Sequence, residues 1–279
     1  MNGVLTLAGL TIREAMRKKV FIASLLIAAI FVFWALVPMP VRPGMMTGGD
    51  LAHTRDFISK LFAWLGCGMI KFFSSVLAVT LAAGSISAEV DKGVLSVVVP
   101  KPISRVSIYF GKWLGLLTIL GASVILWSTL LILGIWHKTG HFHPHILLGL
   151  LATCLFPLLF LTLTLCFSSF ASFALSAGLS LIAAGVALAE DILFNLGRML
   201  DSTVLDTISR VVGYIVPLGK MNHWITRGLG DAGMDMSAFA PGRPGESAIA
   251  TNYADLAYII GYIVVSTIIG VLVFQKRDL

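Results

Sequence analysis

The sequence predicts an all-α polytopic membrane protein with six transmembrane helices, and three observations carry that prediction. Of its 279 residues, 57% are hydrophobic and only 12% are charged, where a soluble domain carries about 25% charged residues. The mean hydropathy is +0.93. Apolar stretches long enough to cross a bilayer recur along the chain, at 20–39, 68–88, 110–134, 146–166, 173–192 and 256–274. A helix rises about 1.5 Å per residue, so about 20 residues cross about 30 Å of hydrocarbon. The sequence lacks the short alternating segments of a membrane β-barrel. Residues 1–279 therefore read as a single transmembrane domain.

Each element has its own local reason. In residues 1–19, Leu5, Ala8, Ile12 and Met16 recur at helical spacing, and the segment ends in Arg17, Lys18 and Lys19. This pattern predicts a helix lying on the membrane surface before the first span. The first apolar run exceeds the about 7–15 residues of a cleavable signal and closes on Pro38, Pro40 and Pro43, so it reads as a retained span. In the loop 40–67, Pro40, Pro43, Gly44, Gly48 and Gly49 predict an irregular first half. Phe57, Ile58, Leu61, Phe62 and Leu65 predict an amphipathic helix leading into the second span, with Lys71 near that span's outer end. Pro157 predicts a kink in the fourth span.

On the fifth span Ser172, Ser176, Ser180 and Ala184 recur at four-residue intervals. Small residues on one face let two helices approach closely, within the chain or across a dimer. Gly111 and Gly115 form a second such pair at the start of the third span. The long loop 193–255 holds an amphipathic stretch, Val204, Leu205, Ile208, Val211 and Val212, closed by Pro217, and a Gly- and Pro-rich segment at 240–246. Short outer helices are expected there. Cys67, Cys154 and Cys166 lie in or beside apolar segments and read as small packing residues.

Basic residues orient the chain. Arg13, Arg17, Lys18 and Lys19 precede the first span, and Lys276 and Arg277 follow the last. Positive residues near span ends favour the cytoplasmic side, so both termini are expected there. The net charge of +6 and the pI near 9.4 then point to anionic inner-leaflet lipid as a partner. No basic reading helix or aromatic-interleaved platform suggests nucleic acid.

The most specific stretch is ISAEVDKGVLSVVVPKPISRVSIYFGKWLG, residues 86–115. Val90, Val94, Val97 and Val98 give one apolar face to a short inner helix, which Pro100 and Pro102 end. An apolar edge displayed at the inner face invites a protein partner. The acidic residue and glycine followed by "KPISR" and "GK", together with the opening "LTIREAMRKKVF", resemble the permease subunit of bacterial ABC exporters of the type-2 family. The resemblance covers the whole chain. The subgroup it most resembles is the permeases associated with multi-copper enzyme maturation, including the nitrous-oxide reductase maturation transporter.

By that resemblance, residues 89–105 are the coupling segment that docks on a separate ABC ATPase. Glu89, Asp91, Gly93, Pro102, Arg105, Gly111 and Lys112 match the family pattern, and Val94 lies on the apolar edge. The resemblance implies two permeases and two ATPases, with a homodimer contact at Ser172, Ser176, Ser180 and Ala184. It also leaves room for a periplasmic accessory protein. This chain has no Walker A motif, because Gly111-Lys112 lacks the upstream glycine and a following Ser or Thr. ATP and Mg are therefore expected on the partner, with no cofactor bound by this chain and no enzymatic activity of its own.

Two rival readings come from ionisable residues. Glu190 and Asp191 near the outer end of the fifth span, with His223 in the following loop, are the candidates for an intramembrane enzyme, but no HExxH or GxSxG pattern accompanies them. His137, His141, His143 and His145 crowd the outer turn between spans three and four, where imidazoles can bind metal. Short polar turns also hold histidines without that role, and no metal site is assigned.

Overall fold

The computed structural model describes residues 2–17, 22, 26–27, 29–30, 48–87, 104–139, 145–200, 202–217, 220–221, 224–225 and 253–276. Regular structure among them is helical throughout: α1 (Asn2–Arg17), α2 (Gly48–Ala83), α3 (Arg105–Thr139), α4 (His145–Thr153), α5 (Leu155–Ser168), α6 (Phe173–Met199), α7 (Thr203–Ile215) and α8 (Tyr253–Lys276). Four stretches of the described residues are long and apolar enough to cross a bilayer: Phe62–Ala83, Arg105–His137, Ile146–Ser168 and Tyr253–Lys276. Helix α6 runs 27 residues, of which Phe173–Val186 form its apolar part. Most of the expected first span lies outside the described residues, although Ile22, Leu26, Ile27, Ala29 and Ile30 are helical.

Helix α5 is the centre of the bundle. It packs against α2, α3, α6 and α8, and Phe156, Leu159, Phe160, Leu161, Leu163 and Leu165 are all buried. A helix that is apolar all round and touched on every side belongs in a core. Helix α8 is equally apolar but buries only the stripe Ile259, Ile263, Ser266, Gly270 and Phe274. Its Ile260, Val264, Val265, Ile268, Ile269 and Leu272 stay exposed. Against hydrocarbon such exposure costs an aliphatic side chain nothing.

The fourth span breaks as its proline predicts, a few residues upstream. Proline at position i lacks the N–H for the carbonyl at i−4 and crowds it. For Pro157 that carbonyl is Thr153, the last residue of α4, and α5 starts two residues later. Cys154 bridges the break, its N–H reaching both Leu150 O at 3.1 Å and Leu151 O at 3.2 Å.

Elsewhere the helices depart from the expected boundaries. Gly48 and Gly49, read as part of an irregular loop, begin a continuous 36-residue helix. Glycine is tolerable there because the first turn's N–H groups lack helical partners anyway. Lys71 lies well inside the span Phe62–Ala83 and not at its outer end. Its ammonium stands 4.9 Å over the Phe156 ring of α5. Helix α6 continues to Met199, past the expected start of the loop at 193.

Helix α7 forms where its periodicity predicts, and Val216 and Pro217 close it. The face it turns inward carries Ser209 and Gly213, packed on α6. Val204, Ile208, Val211 and Ile215 are exposed. Small residues take the helix contact and large apolar ones face outward.

Candidate functional site

The last turn of α2 leads directly into the segment that carries the sequence motif. Glu89, Asp91, Gly93, Val94 and Pro102 lie outside the described residues, whereas both flanks of that segment are described. The carbonyls that end a helix have no partners within it. Here they receive side chains from three other helices.

Ala83 O accepts the hydroxyls of Ser87 at 2.9 Å, Ser168 at 2.8 Å and Ser176 at 3.0 Å. Ser168 Oγ in turn accepts the Ser87 N–H at 3.1 Å and the Ile86 N–H at 3.4 Å. The Lys112 ammonium donates to Ser85 O. Ser85, Ser87, Lys112, Ser168 and Ser176 are all buried. A cation at a helix C-terminus also complements the helix dipole. The end of α2 is thus gripped by the α5–α6 turn on one side and by α3 on the other.

The far flank of the segment is fixed as well. Ser104 Oγ accepts the Ser107 N–H at 3.2 Å at the start of α3. Arg105 Nη1 donates to Gln275 O at 2.9 Å, tying the first residue of α3 to the last turn of α8. Orphan carbonyls at the end of α8 and a guanidinium with fixed donor geometry suit one another.

Helix α1 completes the joint through glycine. A Cβ on Gly111 would lie 2.6 Å from Leu7 Cβ and 3.2 Å from Val4 O. One on Gly115 would lie 2.8 Å from both Ala8 O and Thr11 Cβ. The two glycines are one helical turn apart and form the groove in which α1 lies against α3. Thr11, Glu14 and Ala15 of α1 meet Leu81 of α2, Ser85 just past its end, and Lys112 and Leu116 of α3 around one shallow notch.

Of the expected coupling residues, Lys112 meets Ser85 across the segment, Gly111 receives α1 and Arg105 ties the start of α3 to the end of α8. Lys112 is turned into its own chain. The serine stripe of α6 is also used within the chain. Ser172 is the N-cap position, its carbonyl receiving the Ser176 N–H at 2.9 Å. Ser176 and Ser180 are fully buried, and Ser180 Oγ meets Thr164 Oγ1 of α5 at 2.8 Å. Within the single chain these two serines are spent on contacts with α2 and α5. Ala184 is half-buried against the same core.

Sequence reading missed Ser85, Ser87 and Ser168. The available signal was three serines within a few residues of span ends, where hydroxyls can replace lost backbone partners.

The rival sites gain no geometry. The side chains of Glu190 and Asp191 and the whole of His141, His143 and His223 lie outside the described residues. His137 is exposed on the last turn of α3, and the backbone of His145 begins α4. Among the described residues no three His, Cys, Asp or Glu side chains come together as metal ligands.

No curated protein matches the chain. The family model for the ABC-2 family transporter protein matches residues 5–279, a range that takes in α1, the gripped end of α2 and every apolar span. The chain belongs to the ABC-2 transporter family and is a transmembrane component of an ABC transporter.

Proposed function

We propose that this chain is the permease of an ATP-driven exporter, and that a separate ABC ATPase acts on it through residues 89–105. Glu89, Asp91, Gly93 and Val94 contact the ATPase in this reading. Two permeases and two ATPases make the working unit, with ATP and Mg bound by the ATPases. The termini and the coupling segment face the cytoplasm of a bacterial cell, as the basic residues beside the first and last spans suggest. The dimer contact falls on faces of the bundle that are exposed in the single chain. The resemblance to permeases of multi-copper enzyme maturation makes such a pathway, with a periplasmic accessory protein, the first to test.

The observation that carries this reading is the convergence of Ser168, Ser176 and Lys112 on the end of α2. A force applied to the segment after α2 has a stiff route into the bundle there. Ala83 O keeps other donors when one hydroxyl leaves, so each of those bonds is worth about 0.5–1.5 kcal/mol, whereas the charged donor that Lys112 gives to Ser85 O is worth about 1.5–3 kcal/mol. The end of α2 therefore moves together with the α5–α6 turn and α3.

The test separates docking from transmission. Val94→Asp places a charge in the dock and should abolish co-purification with the ATPase, while Asp278→Ala, a control outside the motif segment, retains it. Lys112→Met keeps the dock and should co-purify normally. Its ATPase turnover should no longer respond to the permease. Full retention and full coupling in Val94→Asp would move the dock elsewhere, and full coupling in Lys112→Met would remove the joint from the route.

A further inference from the structure

A second cluster lies at the opposite end of the bundle from the α2 joint, where α7 meets the start of α8. Lys220 Nζ lies 4.4 Å from the centroid of the Tyr258 ring and 4.7 Å from that of Tyr214. Asp255 Oδ1 is 3.3 Å from the same ammonium. The two rings stand 6.0 Å apart at 89°. One cation therefore faces two ring surfaces at a right angle, with a carboxylate beside it. Ring faces carry the negative side of the aromatic quadrupole and attract ammonium groups.

The corner is held without the lysine. Tyr258 Oη donates to Tyr214 O at 2.6 Å, which joins α8 to α7 directly. Tyr262 flanks Tyr258, with ring centroids 6.4 Å apart. Lys220 and Asp255 are 21% and 28% exposed, so a solute can reach the corner from outside. A lysine ammonium is compact and strongly hydrated, and part of its attraction to the rings is offset by lost hydration. An alkylated ammonium holds water less tightly and covers more of each ring. The tethered lysine competes at an effective concentration on the order of mM, low enough for a better-fitting cation to displace it.

We propose that Tyr214, Tyr258 and Asp255 form a binding site for an organic ammonium group, best for a quaternary one, and that Lys220 fills it when no ligand is present. The site is independent of the ATPase reading. It lies far from the α2 joint, and its test needs no ATPase.

The full chain purified in detergent is titrated with choline chloride against matched sodium chloride, and binding is read by calorimetry. The Lys220→Ala variant empties the corner and should bind choline saturably, at least about tenfold tighter than the wild type. The neutral isostere 3,3-dimethyl-1-butanol should not bind, and adding Tyr258→Leu to Lys220→Ala should abolish choline binding. In the wild type, choline should at least double the rate at which acetic anhydride acetylates Lys220, read by mass spectrometry, because displacement releases the amine to water. A Lys220→Ala chain with native helical circular dichroism and no saturable choline binding would overturn the proposal, as would equal binding of the isostere. If Lys220→Ala loses its helical signal, a Lys220 acetylation rate unmoved by choline in the wild type overturns it.

Discussion

The spans Ile146–Ser168 and Tyr253–Lys276 have almost the same mean hydropathy, 2.5 and 2.4, yet over an apolar 18-residue stretch of each, 61% of the first is buried inside the bundle and 22% of the second. Composition reports only that a segment avoids water. It does not report whether protein or lipid replaces the water, because lipid tails are as apolar as leucine. The two segments differ at their small and polar residues. The α5 region places Thr162, Thr164 and Ser168 at buried positions. Helix α8 has Ser266 and Gly270 on its single buried stripe. Contact between helices is written in those few residues, and the large aliphatic ones serve either environment.

The comparison is broken most severely by truncating equivalent aliphatic residues. Leu161 of α5 is fully buried, whereas Ile268 of α8 is 51% exposed. Leu161→Ala should cost about 2–5 kcal/mol of stability, since the cavity it leaves is walled on all sides. Ile268→Ala should cost less than about 0.5 kcal/mol, because lipid closes over the gap. Thermal unfolding in one detergent, followed by circular dichroism, measures both. Similar losses for the two would mean that α8 is covered by something other than lipid.

A smaller effect tests the stripe of α8 itself. A Cβ on Gly270 would run into the Tyr109 hydroxyl, 2.9 Å from Tyr109 Cζ and 3.2 Å from Cys166 Cα, whereas one on Gly261 meets nothing within 4 Å. Gly270→Ala should therefore cost about 1–3 kcal/mol through overpacking. Gly261→Ala should be neutral or stabilising by up to about 1 kcal/mol, since alanine is the better helix former. Equal stability of the two variants would place the α5–α8 contact elsewhere.

How far the sequence discloses the molecule follows from the same distinction. Span lengths are legible because water avoidance acts on every residue, and four apolar spans stand where the hydropathy puts them. The Pro157 break is legible because it depends on a carbonyl four residues away. Partners are not legible from periodicity. The serine stripe of α6 announces a close contact without naming the other side, which is the chain's own α2 and α5. Gly111 and Gly115 announce a groove without naming α1 as its occupant. The Lys112–Ser85 bond joins residues 27 positions apart across the motif segment, so each residue alone gives no hint of it. Amphipathicity misleads at α7, where Val204, Ile208, Val211 and Ile215 of the apolar face are exposed and the small Ser209 and Gly213 are the buried ones.

The smallest effect concerns the hydroxyls between α5 and α6. Ser180 Oγ donates to Ser176 O at 2.8 Å within α6. Its single proton is then committed, so Thr164 Oγ1 is the donor across the 2.8 Å gap to Ser180 Oγ. Both side chains are fully buried, which invites the inference of a strong bond in a dry interior. Interhelical hydrogen bonds in membranes are worth only about 0.6 kcal/mol on average, because the separated helices find substitute partners. A double-mutant cycle with Thr164→Val and Ser180→Ala should give a coupling energy of about that size, several times smaller than the loss at Leu161. Thermal unfolding of the four proteins in one detergent measures it. A coupling above about 2 kcal/mol would make the hydroxyl pair, and not aliphatic packing, the main tie between α5 and α6, and would reverse the ranking of residues drawn from the comparison of α5 with α8.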